Sequence, residues 1–284
     1  MENSIRIVNK KTGQTPLECI NEIKKAEPNL AYLPLTYAGR LDPLAEGVLI
    51  VLIGDECLKK DEYLKLEKIY ELEILFGFAT DTYDVMGKII NIYASSSCQF
   101  LGPRTREDEG PDHKNWHEDS ASNTNILNST PDYVSRIEEI LPNFIGKIKQ
   151  SYPPYSSRPV NGKPLFMWAR EGKLDQIEIP THNVQIDNIE IIGENSYLGA
   201  QLLSKIKEDI GKVKGDFRQK EIISIWEKEL QNKKEEKYFT IKLRINCGSG
   251  VYVRSIANEI GEKLGIPTLA LRIVRTKVGE YGIN

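Results

Sequence analysis

Ala38-Gly39-Arg40-Leu41-Asp42-Pro43-Leu44-Ala45-Glu46-Gly47-Val48-Leu49-Ile50-Val51-Leu52-Ile53-Gly54 is the stretch from which the rest of the chain is read. Its second half is a short apolar run, rich in β-branched residues and ended by glycine, which is the pattern of a strand buried on both faces. Asp42-Pro43 stands just before that strand, and an aspartate before proline, taken alone, marks a turn. Upstream, Thr15-Pro16-Leu17-Glu18 combines a capping box with proline at the first helical position. Leu17, Ile20 and Ile23 then recur at helical spacing, so a helix is predicted from about Pro16. Downstream, Tyr70, Leu72, Ile74 and Phe76 alternate with Glu71 and Glu73, predicting a half-exposed strand with Tyr70 at its start. Phe239, Ile241, Leu243, Ile245 and Cys247 repeat that alternation until Gly248-Ser249-Gly250 breaks it. A further strand is predicted there, with Tyr252 and Arg254 on the same side. Ser255 then caps a helix lined by Ile256, Ile260 and Leu264, and Gly265 is placed to end it. This irregular alternation of strands and helices predicts an α+β fold.

Two segments read as insertions. Residues 93–131 are rich in Ser, Asn, Asp and Gly, the composition of a mobile loop. Residues 195–237 are dense in Lys and Glu, with Leu202, Ile206 and Ile210 at i, i+4 and i+8, which predicts a helical excursion packed on the body. The chain as a whole, 284 residues and 40% hydrophobic, can bury a proper core, and a single domain, 1–284, carrying these insertions is expected. No signal-peptide core opens the sequence and no apolar run approaches the roughly 20 residues that span a bilayer, so a cytoplasmic protein without a membrane partner is expected. Cys19, Cys57, Cys98 and Cys247 lie far apart, excluding both a disulfide framework and a zinc ribbon. His113 and His117 have the spacing of a helical metal pair, but Gly110-Pro111 and Asn115 around them favour a loop, and no metal is expected. The net charge of −3 hides an uneven distribution. From Leu141 to Lys173 six basic residues face Glu171 alone, and from Tyr238 to Asn284 seven face three, so local basic surface for nucleic acid exists.

The string around Asp42 resembles the catalytic motif of the TruB family of tRNA pseudouridine synthases, whose aspartate sits in Gly-x-Leu-Asp-Pro-x-Ala-x-Gly. Further similarities follow in the family's order: Asn9-Lys10 with Gly13, Lys68-Ile69-Tyr70, and Thr80-Asp81-Thr82-Tyr83-Asp84 with Gly87. Pro154-Tyr155-Ser156-Ser157 with Gly162-Lys163, Gly250-Val251-Tyr252-Val253-Arg254 and Leu271-Arg272 complete the set. There are departures. Lys10-Lys11 replaces the family's Lys-Pro, Thr36-Tyr37 stand where a histidine is common, and Arg40 gives the motif the Gly-Arg-Leu-Asp form of a sister family of pseudouridine synthases.

The resemblance implies the pseudouridine synthase fold, a central mixed, mostly antiparallel sheet with flanking helices and a catalytic cleft. It implies conversion of a uridine at position 55, in the TΨC loop of tRNA, to pseudouridine by base flipping, with tRNA as the partner, no obligatory protein partner, a monomer, and no cofactor. Two other readings stand beside it: the same chemistry on another RNA, and a tRNA-binding, refolding protein with secondary catalysis. Asp42 is the catalytic carboxylate it implies, and Lys10, Tyr70, Asp84, Tyr252, Arg254 and Leu271 are the implied substrate-binding set. Within that set Arg254 is the cation beside Asp42, Asp84 orients Arg254, and Tyr70 stacks on the base. Because the sequence stops soon after Leu271-Arg272, the C-terminal PUA domain of many relatives is not expected. Lys147, Lys149, Arg158, Lys163 and Arg170 are candidate phosphate contacts, with Tyr152 and Tyr155 as stacking faces. Gly248-Ser249-Gly250 is a tight turn and not a dinucleotide fingerprint, since Val253 occupies the third glycine position.

Overall fold

The computed structural model of the chain describes residues 4–93 and 133–283. In chain order the elements are β1 (Ile5–Lys10), α1 (Pro16–Ala26), β2 (Leu35–Ala38), β3 (Glu46–Ile53), α2 (Lys60–Lys65), β4 (Lys68–Phe76), β5 (Phe78–Thr80), β6 (Ile89–Ile92), α3 (Tyr133–Ile140) and β7 (Gly146–Ser151). There follow β8 (Pro159–Val160), β9 (Lys163–Pro164), α4 (Leu165–Arg170), β10 (Thr181–Leu198), α5 (Gly199–Lys212), α6 (Gln219–Leu230), β11 (Lys237–Cys247), α7 (Val253–Leu264), β12 (Thr268–Val278) and β13 (Tyr281–Gly282). A central sheet in the order β1-β3-β12-β4-β11-β10-β7 organises them, with β2 also on β3 and β13 on β12. Its pairings are antiparallel except that of β3 with β12. This is the mixed, mostly antiparallel sheet with flanking helices expected of the fold.

The run that predicted a doubly buried strand forms β3. Val48, Ile50 and Leu52 join one cluster, against which Tyr63 and Leu66 pack, while Leu49 and Val51 join Cys19 and Ile20 of α1 in another. Helix α1 begins as its capping box dictates: Glu18 N–H donates to Thr15 Oγ1 and Thr15 N–H to the Glu18 carboxylate. The sheet is covered on both sides. Ile256, Ile260 and Leu264 of α7 and Ile137 of α3 pack with Leu72 and Ile74, whereas Leu202, Ile206 and Ile210 of α5 and Ile222, Trp226 and Leu230 of α6 pack with Leu75, Leu269 and Leu271.

That second layer corrects one expectation. Strand β4 is not half-exposed: Glu73 is buried, accepting hydrogen bonds from Tyr197 Oη at 3.1 Å and Thr240 Oγ1 at 2.9 Å. The helical excursion covers that face, and Glu73 tolerates the burial because both donors satisfy it. A second correction concerns residues 250–255, where no strand forms. Tyr252 is itself the N-cap of α7, Arg254 lies in the helix's first turn, and the buried Ser255 hydroxyl caps nothing. Gly265 ends α7 with φ 70° as predicted. The excursion's two helices are present, although its first residues, Asn195 to Leu198, extend the long strand β10. The composition-based reading of 93–131, with His113 and His117, falls outside the described residues apart from Tyr93. No described helix is long and apolar enough to cross a membrane.

Candidate active site

Asp42 sits on the loop joining β2 to β3, at the wall of a cleft of about 860 Å³. Backbone geometry alone does not hold that loop; two buried cations do. Lys10, fully buried at the end of β1, donates from Nζ to the carbonyls of Ala45 at 2.5 Å, Pro43 at 3.2 Å and Lys11 at 3.3 Å. Arg275, buried in β12, donates from Nε to Val48 O at 2.8 Å and from Nη2 to Gly39 O at 3.1 Å. Gly39 turns the chain with φ 84°. At Gly47 a Cβ would lie 2.2 Å from Arg275 O, so only glycine permits the close parallel approach of β3 and β12.

Arg254 approaches Asp42 from α7. Its Nε lies 2.9 Å from Asp42 Oδ2, with the arginine side chain 4% and the aspartate 36% exposed. The contact is chiefly one of charge, and the exposed side of the carboxylate leaves lone pairs open to a substrate. The rest of the guanidinium is anchored: Nη1 donates to Thr82 O at 2.8 Å and Nη2 to Tyr155 O at 2.9 Å. Burial opposes the guanidinium's charge, but Asp42 and Asp84 outweigh it and raise the Arg254 pKa.

Asp84 does not pair with Arg254 directly. Its Oδ1 accepts from Thr82 Oγ1 at 2.7 Å and from Met86 N–H at 2.9 Å, so it fixes the turn whose Thr82 carbonyl receives Arg254. Burial pushes the Asp84 carboxyl up to about 6, against the pull of Arg254. Tyr70 in β4 is buried at the cleft wall, opposite Arg275 across the β4–β12 ladder. Burial raises its hydroxyl's pKa, with the Arg275 charge opposing. Tyr252 lines the same cleft, its N–H held by Gln150 Oε1 at 2.9 Å and its ring edge-on to Tyr152 at 5.6 Å.

Two residues of the implied binding set stand elsewhere. Lys10 does not line the cleft; it braces the Asp42 loop from beneath. Leu271 faces the α5–α6 layer, on the same side as Leu269, and the register shift between Ala270 and Arg272 then turns Ile273 to the opposite face. Ile273, past that bulge, is the aliphatic residue of β12 that lines the cleft. Of the candidate phosphate contacts, Lys163 is paired with Glu171 at 2.6 Å and Arg170 donates to Asp216 O at 2.7 Å. Lys147 and Lys149 are exposed on the edge strand β7, and Arg158 lies 5.1 Å from the Tyr152 ring centre. Sequence reasoning missed Arg275, Thr82, Lys68 and Arg218 in the cleft lining. For Thr82 and Lys68 the signal was in hand, since both lie inside quoted motifs.

Comparison with known proteins identifies the family. The family model described as TruB family pseudouridylate synthase (N terminal domain) matches residues 33–101 and 114–211, over half the chain. A tRNA pseudouridine synthase B of Ligilactobacillus salivarius is 27% identical over 87% of this chain and 59% of its own length. Those of a Nostoc species and of Staphylococcus aureus are 26% and 28% identical, over 98% and 99% of this chain and 68% of their own. The chain thus spans about three fifths to two thirds of these relatives. Among solved structures, a chain of a Cbf5-Nop10-Gar1 complex shares the fold with TM-score 0.50 and 15% identity, over 99% of this chain and 50% of that one.

Proposed function

We infer that this chain, which belongs to the TruB family of pseudouridylate synthases, isomerises a uridine of the tRNA TΨC loop, position 55, to pseudouridine. The observation that carries the reading is the Asp42–Arg254 pair, a partly exposed carboxylate beside an almost fully buried cation at the wall of a cleft roomy enough for an extruded nucleotide. The names of the relatives supply the RNA class.

A uridine stacked in a folded loop is out of reach, so it must be turned out into the cleft at a cost of about a few kcal/mol. There the C1′–N1 bond breaks, the base rotates, and a C5–C1′ bond forms; the proton leaving C5 is balanced by one gained at N1. Asp42 acts as an anion in either of two first steps, attack on the substrate or removal of a sugar proton. Arg254 keeps the negative charge favourable in a site closed to water. Asp84 acts through Thr82 to hold Arg254 in place. Tyr70, whose hydroxyl stays protonated near neutral pH, offers a face to the base and not a phenolate. Tyr252 adds a second aromatic side chain to the cleft lining, braced edge-on by Tyr152. The same reading takes the protein to act as a monomer in the cytoplasm.

The test is chemical mapping of pseudouridine in an unmodified tRNA transcript after incubation with the protein. Conversion at position 55 alone supports the reading. Conversion only at another position, or only in another RNA, would replace the substrate named here.

A further inference from the structure

Residues 213–218, which link α5 to α6, end at the cleft, where Asp216, Phe217 and Arg218 join its lining. Arg218 holds a left-handed backbone with φ 64°, a conformation disfavoured for residues other than glycine. Its side chain is well engaged there: Nη1 lies 2.8 Å from Asp81 Oδ2 and Nη2 3.3 Å from Oδ1. The guanidinium centre is 4.6 Å from the Tyr155 ring centre. Asp81 Oδ1 also accepts from Lys88 N–H at 2.8 Å, which closes the turn that carries Thr82 and Asp84. Tyr155, on the other side, is the residue whose carbonyl receives Arg254 Nη2. The Arg218–Asp81 pair and the Asp42–Arg254 pair therefore brace the same two pieces of backbone.

Phe217, one residue earlier, keeps 37% of its surface exposed within the cleft lining, so its ring is open to a ligand there. Gly215 packs beneath it, where a Cβ would meet the ring at 3.4 Å, and Arg170 Nη2 ties the linker down through Asp216 O at 2.7 Å. An open aromatic face in a cleft that Arg170 and Arg218 also line is the chemistry of a nucleobase platform.

Resting on the pseudouridine synthase reading, we propose that the 213–218 linker is a wall of the RNA site. Phe217 stacks a nucleobase neighbouring the extruded uridine, and Arg218 is a positioning residue that acts through Asp81 and Tyr155 on the backbone holding Arg254. The helical excursion is thereby part of substrate recognition as well as a cover for the sheet.

The experiment uses the full chain and an unmodified tRNA transcript, measuring dissociation constants and single-turnover rates at saturating protein, with melting curves for each variant. Phe217→Ala should weaken tRNA binding by roughly tenfold, a larger effect than on the saturated rate, and Phe217→Trp should restore binding. Arg218→Gly, which suits the left-handed backbone, and Asp81→Asn should each slow the saturated rate by about tenfold, and the double variant should be no slower than either. Arg218→Lys, keeping the charge without the fork, should recover part of the loss. Unchanged binding by Phe217→Ala, or additive losses in the Arg218 and Asp81 pair, would overturn the proposal. A parent protein that binds tRNA but makes no pseudouridine would instead sink the functional reading, while the Phe217 binding comparison still decides the stacking claim.

Discussion

Replacing Arg254 with methionine removes the only cation touching Asp42 among the described residues, and its effect can be worked from the geometry. The charged atoms are 2.9 Å apart at their nearest, which puts the charge centres about 4 Å apart. Two unit charges at about 4 Å attract by about 4 kcal/mol at the effective dielectric of about 20 suited to such sites. Asp42 is 36% exposed, so solvent screens part of that, and about 2–3 kcal/mol is a fair working figure. If the transition state keeps the full benefit of the pair, Arg254→Met slows the chemical step by roughly 30- to 150-fold. Stability also falls, because the carbonyls of Thr82 and Tyr155 lose their donors, at about 1–3 kcal/mol each. Single-turnover pseudouridine formation, measured below the variant's melting range, separates the two effects. Arg254→Lys, with one charge but no fork to reach both carbonyls, should fall between parent and methionine variant. Turnover by Arg254→Met within threefold of the parent would refute the electrostatic role given to Arg254.

Other outcomes follow from the same structure. Leu271→Ala should cost about 2–5 kcal/mol of stability as a buried truncation while the folded protein reacts near the parent rate; a melting curve with a rate assay checks both. Ile273→Ala should instead weaken tRNA binding or turnover more than it lowers melting temperature. Lys10→Met, taking the buried donor from the Ala45 carbonyl and leaving Pro43 O only its Gly13 N–H, should slow single turnover more than it weakens tRNA binding. Equal losses in both would argue that Lys10 meets the RNA. Asp84, raised to about 6 from 3.8, binds its proton in the folded state over a range where the unfolded chain has released it. Its contribution to stability is therefore present at low pH and lost as pH climbs from about 4 to about 6. Melting temperature plotted as parent minus Asp84→Asn should fall across that window and level above it, and parallel curves would show the shift to be absent.

How much of this was legible in the sequence depends on whether one segment's own pattern decides its surroundings. β3 was, because an unbroken apolar run must be buried on both sides wherever it lies. So was α1, whose cap is local chemistry. β4 was not: Glu71 and Glu73 look alike in sequence, yet the excursion, more than 120 residues further along, buries only Glu73. Leu271 was taken from the resemblance alone, and a motif names a residue without saying which face of β12 it occupies; a bulge just after it turns Ile273, not Leu271, to the cleft. The strand expected at Tyr252 and Arg254 is the beginning of a helix, since a few residues after a glycine turn carry too little periodicity to distinguish the two. The Asp42 motif and its Arg254 partner stood out by their type and order. Arg275 did not, because an arginine in a strand reads as exposed until its carbonyl partners are known, and Arg218 sits in an excursion with no motif at all.

The central claim, that Asp42 supplies the anion for uridine isomerisation, is tested most directly by Asp42→Asn assayed on unmodified tRNA for both binding and product. The substitution keeps the side chain's shape and leaves the Lys10 and Arg275 contacts to the loop backbone untouched. The variant should melt within a few degrees of the parent and bind tRNA with an affinity within severalfold of it, yet form no pseudouridine over many parent half-times. Pseudouridine formation by Asp42→Asn at a rate near the parent's would contradict the account.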